Sequence, residues 1–277
     1  MNKLPIGIIV SLAEILEKGF NDVISLGLTA CQLNCWDDSY FTKENAEKVL
    51  MLSDGKIQIT SLWVGWPGPA EWNFIDGPQT LGLVPTAFRS RRLECLKKGA
   101  QFASWLGIKD IVTHVGFIPE NPSTTEYREL LIAVSEIGKY CKELHIYFNF
   151  ETGQETPITL LRTIQDTGLS NLGINLDPGN LLMYGKGNPI DAIDIYRSYI
   201  RGVHIKDGDY PTDPRFLGEE KSIGEGRVDF LQLISKLIEY GFSGGLIIER
   251  EISGPQQIED ILKAKKVIEN ILEKVNK

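Results

Sequence analysis

Short apolar runs rich in β-branched residues recur along the chain, and nearly every one is followed by a stretch of helical period. The strand candidates are LPIGIIV (4–10), TACQLN (29–34), IQITSLWV (57–64), DIVTHV (110–115), IYFNFE (146–151), LGINLD (172–177), GVHIKD (202–207) and GLIIE (245–249). The stretches between them read as helices, several ending in glycine and two opening on proline, as helix boundaries prefer. Examples are SLAEILEKGFNDVISLG, TKENAEKVLMLSD with Thr42 as N-cap, and DFLQLISKLIEYG. Strict strand–helix alternation forces a parallel sheet, and eight repeats in 277 residues match the usual size of a (β/α)8 TIM barrel. The main competitor, an open doubly wound sheet, announces its nucleotide by a glycine-rich turn after a strand. The turns here are SLAE and CWDDSY. No low-complexity linker interrupts the alternation, so residues 1–277 are expected to form one domain.

Charge and cysteine content narrow the function classes. With 29 basic and 37 acidic residues the net charge is −8, and no long basic run occurs, which argues against nucleic acid as a partner. The four cysteines lack zinc-ribbon spacing and are too few for a disulfide scaffold, so a cytoplasmic location is expected. MNKLPIGIIVSLAE imitates a signal peptide only weakly: it has an early proline, no small-x-small site, and Glu14 directly after the apolar run. It is read as the first strand. No stretch is long and apolar enough for a membrane span.

Side chains alternate across a strand, and this parity singles out candidate site residues. In GVHIKD, Val203 and Ile205 share one face while His204 and Lys206 share the other. The same test separates Glu151 from Phe148 and Phe150, Asp177 from Ile174 and Leu176, and Glu249 from Leu246 and Ile248. All four polar groups fall at C-terminal strand ends, where barrel active sites are built. Three carboxylates converging there would repel one another unless a cation neutralised them. A ligand set rich in oxygen with one imidazole suits Mn2+ or Mg2+, with Co2+ or Zn2+ as alternatives. Each residue alone has an ordinary reading, Asp177 before PGN above all as a turn or cap residue. Four strands pointing the same way are harder to explain structurally.

The strings FNFETGQE, INLDPGN, GVHIKD, GEGRVDF and LIIERE, in this order, resemble the xylose isomerase-like superfamily of barrels, which includes sugar phosphate isomerases/epimerases, ketose 3-epimerases and inosose dehydratases. The resemblance implies that Glu151, Asp177, His204 and Glu249 are metal ligands, with Glu151 and Glu249 as the acid/base pair. It further implies a metal-stabilised enediolate of a small sugar, sugar phosphate or polyol, and a homo-oligomer, dimer or tetramer. A dehydratase on the same metal and a silent sugar-binding barrel are the alternatives. Lys206 admits two roles, a cation beside the enediolate or a counterion to site carboxylates. His114, in VTHVGF, is a candidate for substrate contact, although parity with Val112 leaves its direction open. Trp66, Trp72 and Phe74 in GWPGPAEWNF suit stacking on a sugar ring or packing over the barrel mouth. Residues 207–227 read as a long functional lid whose Arg215, Lys221 and Arg227 leave room for a phosphorylated substrate. AP endonuclease-like relatives carry extra histidines. This chain has three in all, with Trp63 and Val64 in place of a strand-three histidine and Asn180 in place of the one after the aspartate, which argues against DNA cleavage and leaves Asn180 a substrate-contact candidate.

Overall fold

A computed structural model describes residues 4–275. Eight parallel strands close into a barrel: β1 (Ile6–Ser11), β2 (Ala30–Cys35), β3 (Gln58–Val64), β4 (Asp110–Thr113), β5 (Tyr147–Glu151), β6 (Leu172–Leu176), β7 (Ile200–Ile205) and β8 (Leu246–Ile248). Each strand pairs with its sequence neighbours, and β1 closes the ring on β8 through Ile6–Leu246, Gly7–Ile247 and Ile8–Ile248. Gly7 is required where a Cβ would lie 2.4 Å from the carbonyl oxygen of Ala30 on β2. The expected (β/α)8 TIM barrel is the observed fold.

The outward faces of the strands build the core together with the helices around them. Leu33, Leu62, Ile111, Phe148, Ile174, Val203 and Leu246 are all buried against the apolar faces of surrounding helices. Burial of that size is the main stabilising term of such a fold. Helix entry is set by local chemistry. Thr42, Thr124 and Thr156 accept the amide protons of Asn45, Tyr127 and Thr159 at the starts of Lys43–Ser53, Thr125–Glu143 and Pro157–Thr167, and Asp229 does the same for Phe230–Glu239.

The structure corrects one local reading and adds detail to two others. Residues 11–27 do not form one helix, because Gly19, at φ 71°, divides Leu12–Lys18 from Asn21–Ser25. A short helix, Pro178–Met183, follows directly on β6, with Asp177 as its N-cap. Residues 207–227 are not structureless, since Asp207–Gly208 pairs antiparallel with Glu220–Lys221. The carboxylate of buried Asp207 holds this segment by accepting the amide protons of Gly208, Gly224, Gly226 and Val228 at 2.9–3.1 Å. Gly226 permits the approach, because a Cβ there would lie 2.3 Å from Asp207 Oδ1. Lys3, the cation of the signal-like N-terminal segment, lies outside the described residues. Among the described residues, no helix is long and apolar enough to cross a membrane.

Candidate metal centre

Glu151 ends β5, Asp177 follows β6, His204 lies near the end of β7, and Glu249 follows β8. One oxygen or nitrogen from each lies within 4.8 Å of the others at the C-terminal mouth of the barrel. Strand parity brings them together: their apolar neighbours Phe150, Leu176, Val203, Ile205 and Ile248 belong to the outer core.

His204 shows what this cluster is built for. Its Nε2 lies 2.9 Å from Oε1 of Gln32 on β2, whose own amide donates to Ser61 on β3 at 2.8 Å. Donation from Nε2 to Gln32 leaves the lone pair of Nδ1 facing the centre. There Nδ1 is 2.9 Å from Glu249 Oε2, 3.2 Å from Glu151 Oε1 and 3.4 Å from Asp177 Oδ2. His204 Nδ1, Asp177 Oδ2 and Glu249 Oε2 are buried without any hydrogen-bond partner. Burial would lower the imidazole pKa, but the charges of Glu151 and Glu249 outweigh it and hold it well above its ordinary value. Three carboxylates around one nitrogen demand positive charge at that point, and a proton or a divalent cation can supply it. The donor set of three carboxylates and one imidazole fits such a cation.

The surroundings orient each group. Asp177 combines its two readings: Oδ1 caps the short helix by accepting from the Asn180 amide at 2.8 Å, while Oδ2 turns into the cluster. Glu151 accepts hydrogen bonds from the indole of Trp63 and, at 3.4 Å, from the Asn180 side-chain amide, and its Oε1 lies 3.3 Å from His114 Nε2. Burial raises the Glu151 pKa, but His114 and His204 together bring it well below the usual carboxylate range. Lys206 is buried just past the end of β7, with Nζ 3.0 Å from Glu251, 3.6 Å from Glu249 and 3.9 Å from Asp177. Burial depresses its pKa, and those carboxylates more than reverse the effect.

A cavity of about 450 Å³ opens above the cluster, lined by Glu151, Glu249, His114 and Asn180 together with Trp36, Trp63 and Trp72. His114 points inward because Val112, of the same parity, packs inside the barrel with Trp63 and Trp66. Two expected contacts are placed elsewhere. Trp66 is buried behind the cavity wall, ringed by Trp36, Trp63 and Trp72 and stacked on the buried guanidinium of Arg92. Arg215 sits in the exposed part of the 207–227 segment and does not line the cavity. His145 occupies a left-handed turn (φ 57°) before β5, outside the site. Gln32, Trp36, Trp63 and Glu251 belong to the site without having been singled out as site residues. Gln32, Asn34 and Trp36 alternate with Cys31, Leu33 and Cys35, so the parity that identified His204 also marks them.

The xylose isomerase-like TIM barrel model matches residues 20–271. The chain belongs to that family. The crystal structure of a xylose isomerase domain protein from Planctomyces limnophilus superposes with a TM-score of 0.93 at 32% identity, covering 99% of both chains. A D-tagatose 3-epimerase-like protein superposes at 0.77 with 24% identity, covering 99% of this chain and 98% of the other, a likeness of fold. An inosose dehydratase of Geobacillus kaustophilus is 25% identical over 143 residues, 46% of each protein. Family membership agrees with the resemblance read from FNFETGQE to LIIERE.

Proposed function

We propose that the protein is a divalent-metal-dependent isomerase or epimerase of a small sugar or polyol, with Glu151, Asp177, His204 and Glu249 as its metal ligands and Mn2+ or Mg2+ as its metal. The observation that carries this reading is the set of orphaned buried atoms, His204 Nδ1, Asp177 Oδ2 and Glu249 Oε2, facing one point. Fold neighbours that include an epimerase-like protein support it. Residues 1–277 act as one domain in this reading. A bound divalent cation would supply a Lewis acid for a carbonyl and its neighbouring hydroxyl, easing loss of the proton between them.

The protein's own groups then divide the work. Glu249 lines the cavity, is partly exposed to it, and is the carboxylate best placed to take a proton from a carbon held there. Glu151 lines the same cavity and returns a proton to the other face, its position fixed by Trp63, Asn180 and His114. Asp177 and His204, fully buried, hold position. Trp36, Trp63 and Trp72 exclude water along one wall.

Deuterium incorporation from D2O into a panel of ketoses and keto-inositols tests the reaction. Exchange without loss of water is expected, falling by at least about 100-fold in Glu249→Gln with metal content retained. Undiminished exchange in that variant refutes the base assignment. The likeness to an inosose dehydratase over half the chain favours a second reading, in which the same proton abstraction is followed by expulsion of a β-hydroxyl. Loss of water would decide for it.

A further inference from the structure

The 207–227 segment and the turn after β8 show what kind of substrate the mouth is built to accept. TIM barrels that take phosphorylated substrates commonly hold the phosphate with backbone amides of the loops after strands seven and eight. Here several of those amides are already committed to carboxylates. Asp207 takes the amide protons of Gly224, Gly226 and Val228, and Glu220 takes that of Glu251. The amide of Asn180, at the start of the helix after β6, is taken by Asp177.

The basic side chains are committed in the same way. Arg250, the one lysine or arginine among the described residues lining the cavity, is held by Glu220 at 2.8 Å and Asp260 at 2.7 Å. Lys206 is held by Glu251. In the 207–227 segment, Lys221 pairs with Glu219 and Arg227 with Asp209, while Arg215 lies away from the cavity. Glu151, Asp177, Glu249 and Glu251, together with Glu220 and Asp260 on Arg250, outnumber the charges of Lys206, Arg250 and a divalent cation even with His114 protonated, so the mouth stays net negative with metal bound. A phosphate dianion would meet repulsion from these carboxylates, and the buried side-chain donors left without a partner at the cavity among the described residues, the Tyr184 hydroxyl and His114 Nδ1, are single groups of the kind that suit sugar hydroxyls.

The same cavity also has a large apolar lining. Trp36 and Trp72 are 43% and 40% exposed, and both line the cavity with Met183, Leu217 and Ile261. The Trp72 ring lies 5.1 Å from that of His114, itself beside Glu151, so a ring held over the cluster would lie within reach of the indole. Indoles stack on the C–H faces of uncharged sugars. We infer that the substrate is an uncharged carbohydrate, a ketose or cyclitol ketone without phosphate, bound against Trp72 and Trp36. This deepens the proposed function and rests on its placement of the site.

Binding, read apart from turnover, tests the inference. The Mn2+-loaded full chain is titrated with D-fructose, D-tagatose, D-psicose, D-sorbose, their 6-phosphates and a keto-inositol, followed by tryptophan fluorescence and calorimetry. At least one neutral member should bind, at least tenfold more tightly than any phosphate ester, and inorganic phosphate should not compete. That binding should weaken at least tenfold in Trp72→Leu, with metal content and circular dichroism unchanged. A 6-phosphate that binds as tightly as its parent, absence of binding by every neutral member, or an unaffected Trp72→Leu overturns the inference. Neutral binding without solvent exchange would refute the proposed reaction and leave this inference standing. Exchange on a ketose phosphate would do the reverse.

Discussion

Replacing Lys206 by Met tests whether this buried ammonium is the site's counterion. Its Nζ faces Glu251 at 3.0 Å, Glu249 at 3.6 Å and Asp177 at 3.9 Å. At an effective dielectric near 20, each pair at such distances is worth about 4–6 kcal/mol of Coulombic attraction. The Glu251 share is smaller, because that side chain is 58% exposed and screened. Desolvation of the ammonium removes several kcal/mol more, and losing one member of a buried ion pair typically costs about 3–5 kcal/mol net. For a chain of 277 residues, unfolding entropy converts this to a fall of roughly 5–9 °C in Tm. Metal changes the sign of the local problem. Without Lys206 the carboxylates have only the metal to neutralise them, so the variant should gain more from it. Differential scanning calorimetry of Lys206→Met and the parent, in EDTA and in saturating Mn2+, reads both effects. A metal-free Lys206→Met as stable as the parent, or one whose Mn2+-induced rise in Tm is no larger, would refute the counterion argument.

Gln32→Leu leaves His204 Nε2 without its acceptor, and Mn2+ affinity should fall about 10- to 100-fold in equilibrium dialysis with the fold intact. Because the carboxylates raise the His204 pKa well above its ordinary value, the metal-free site holds a proton that the metal must displace. Mn2+ affinity should therefore climb as pH rises from 6 to 8, with proton release visible by calorimetry in two buffers. Burial pushes the Glu155 carboxyl up to about 7 from 4.5 against the pull of His114. Between those pH values the folded chain keeps a proton that the unfolded chain has lost, so stability falls as pH rises. Glu155→Gln should flatten that slope and gain about 3 kcal/mol at pH 8 in urea titrations. Asp207→Ala strips the acceptor from four buried or half-buried amides, and limited proteolysis should then cut residues 209–227 much faster than in the parent.

The barrel and the four central residues were legible because both rest on periodicity. Strand–helix alternation sets the ring, and a period of two places His204 opposite Val203 whatever the loops do. The strand-parity reading also held Gln32 and Trp36, since TACQLNCW alternates as GVHIKD does, but an amide and an indole carry no charge to mark them as site groups. Glu251 was hidden differently: it lies beyond the strand end, where parity lapses, and only the fold brings it to Lys206. Asp207 was read as part of a lid because its four amide partners lie one to 21 residues ahead in sequence. Trp66 was misplaced for a related reason. Composition marks a loop tryptophan as a candidate stacking residue, while the choice between Trp66 and Trp72 depends on Arg92, 26 residues further along, stacking behind the first.

The central claim is that Glu151, Asp177, His204 and Glu249 hold one divalent cation between them. An anomalous difference map from crystals grown with Mn2+ tests it most directly. The account predicts one peak per chain, about 2.0–2.4 Å from one atom of each residue, with His204 binding through Nδ1. A map with no peak inside the barrel mouth, or with one that His204 meets through Nε2, would contradict it.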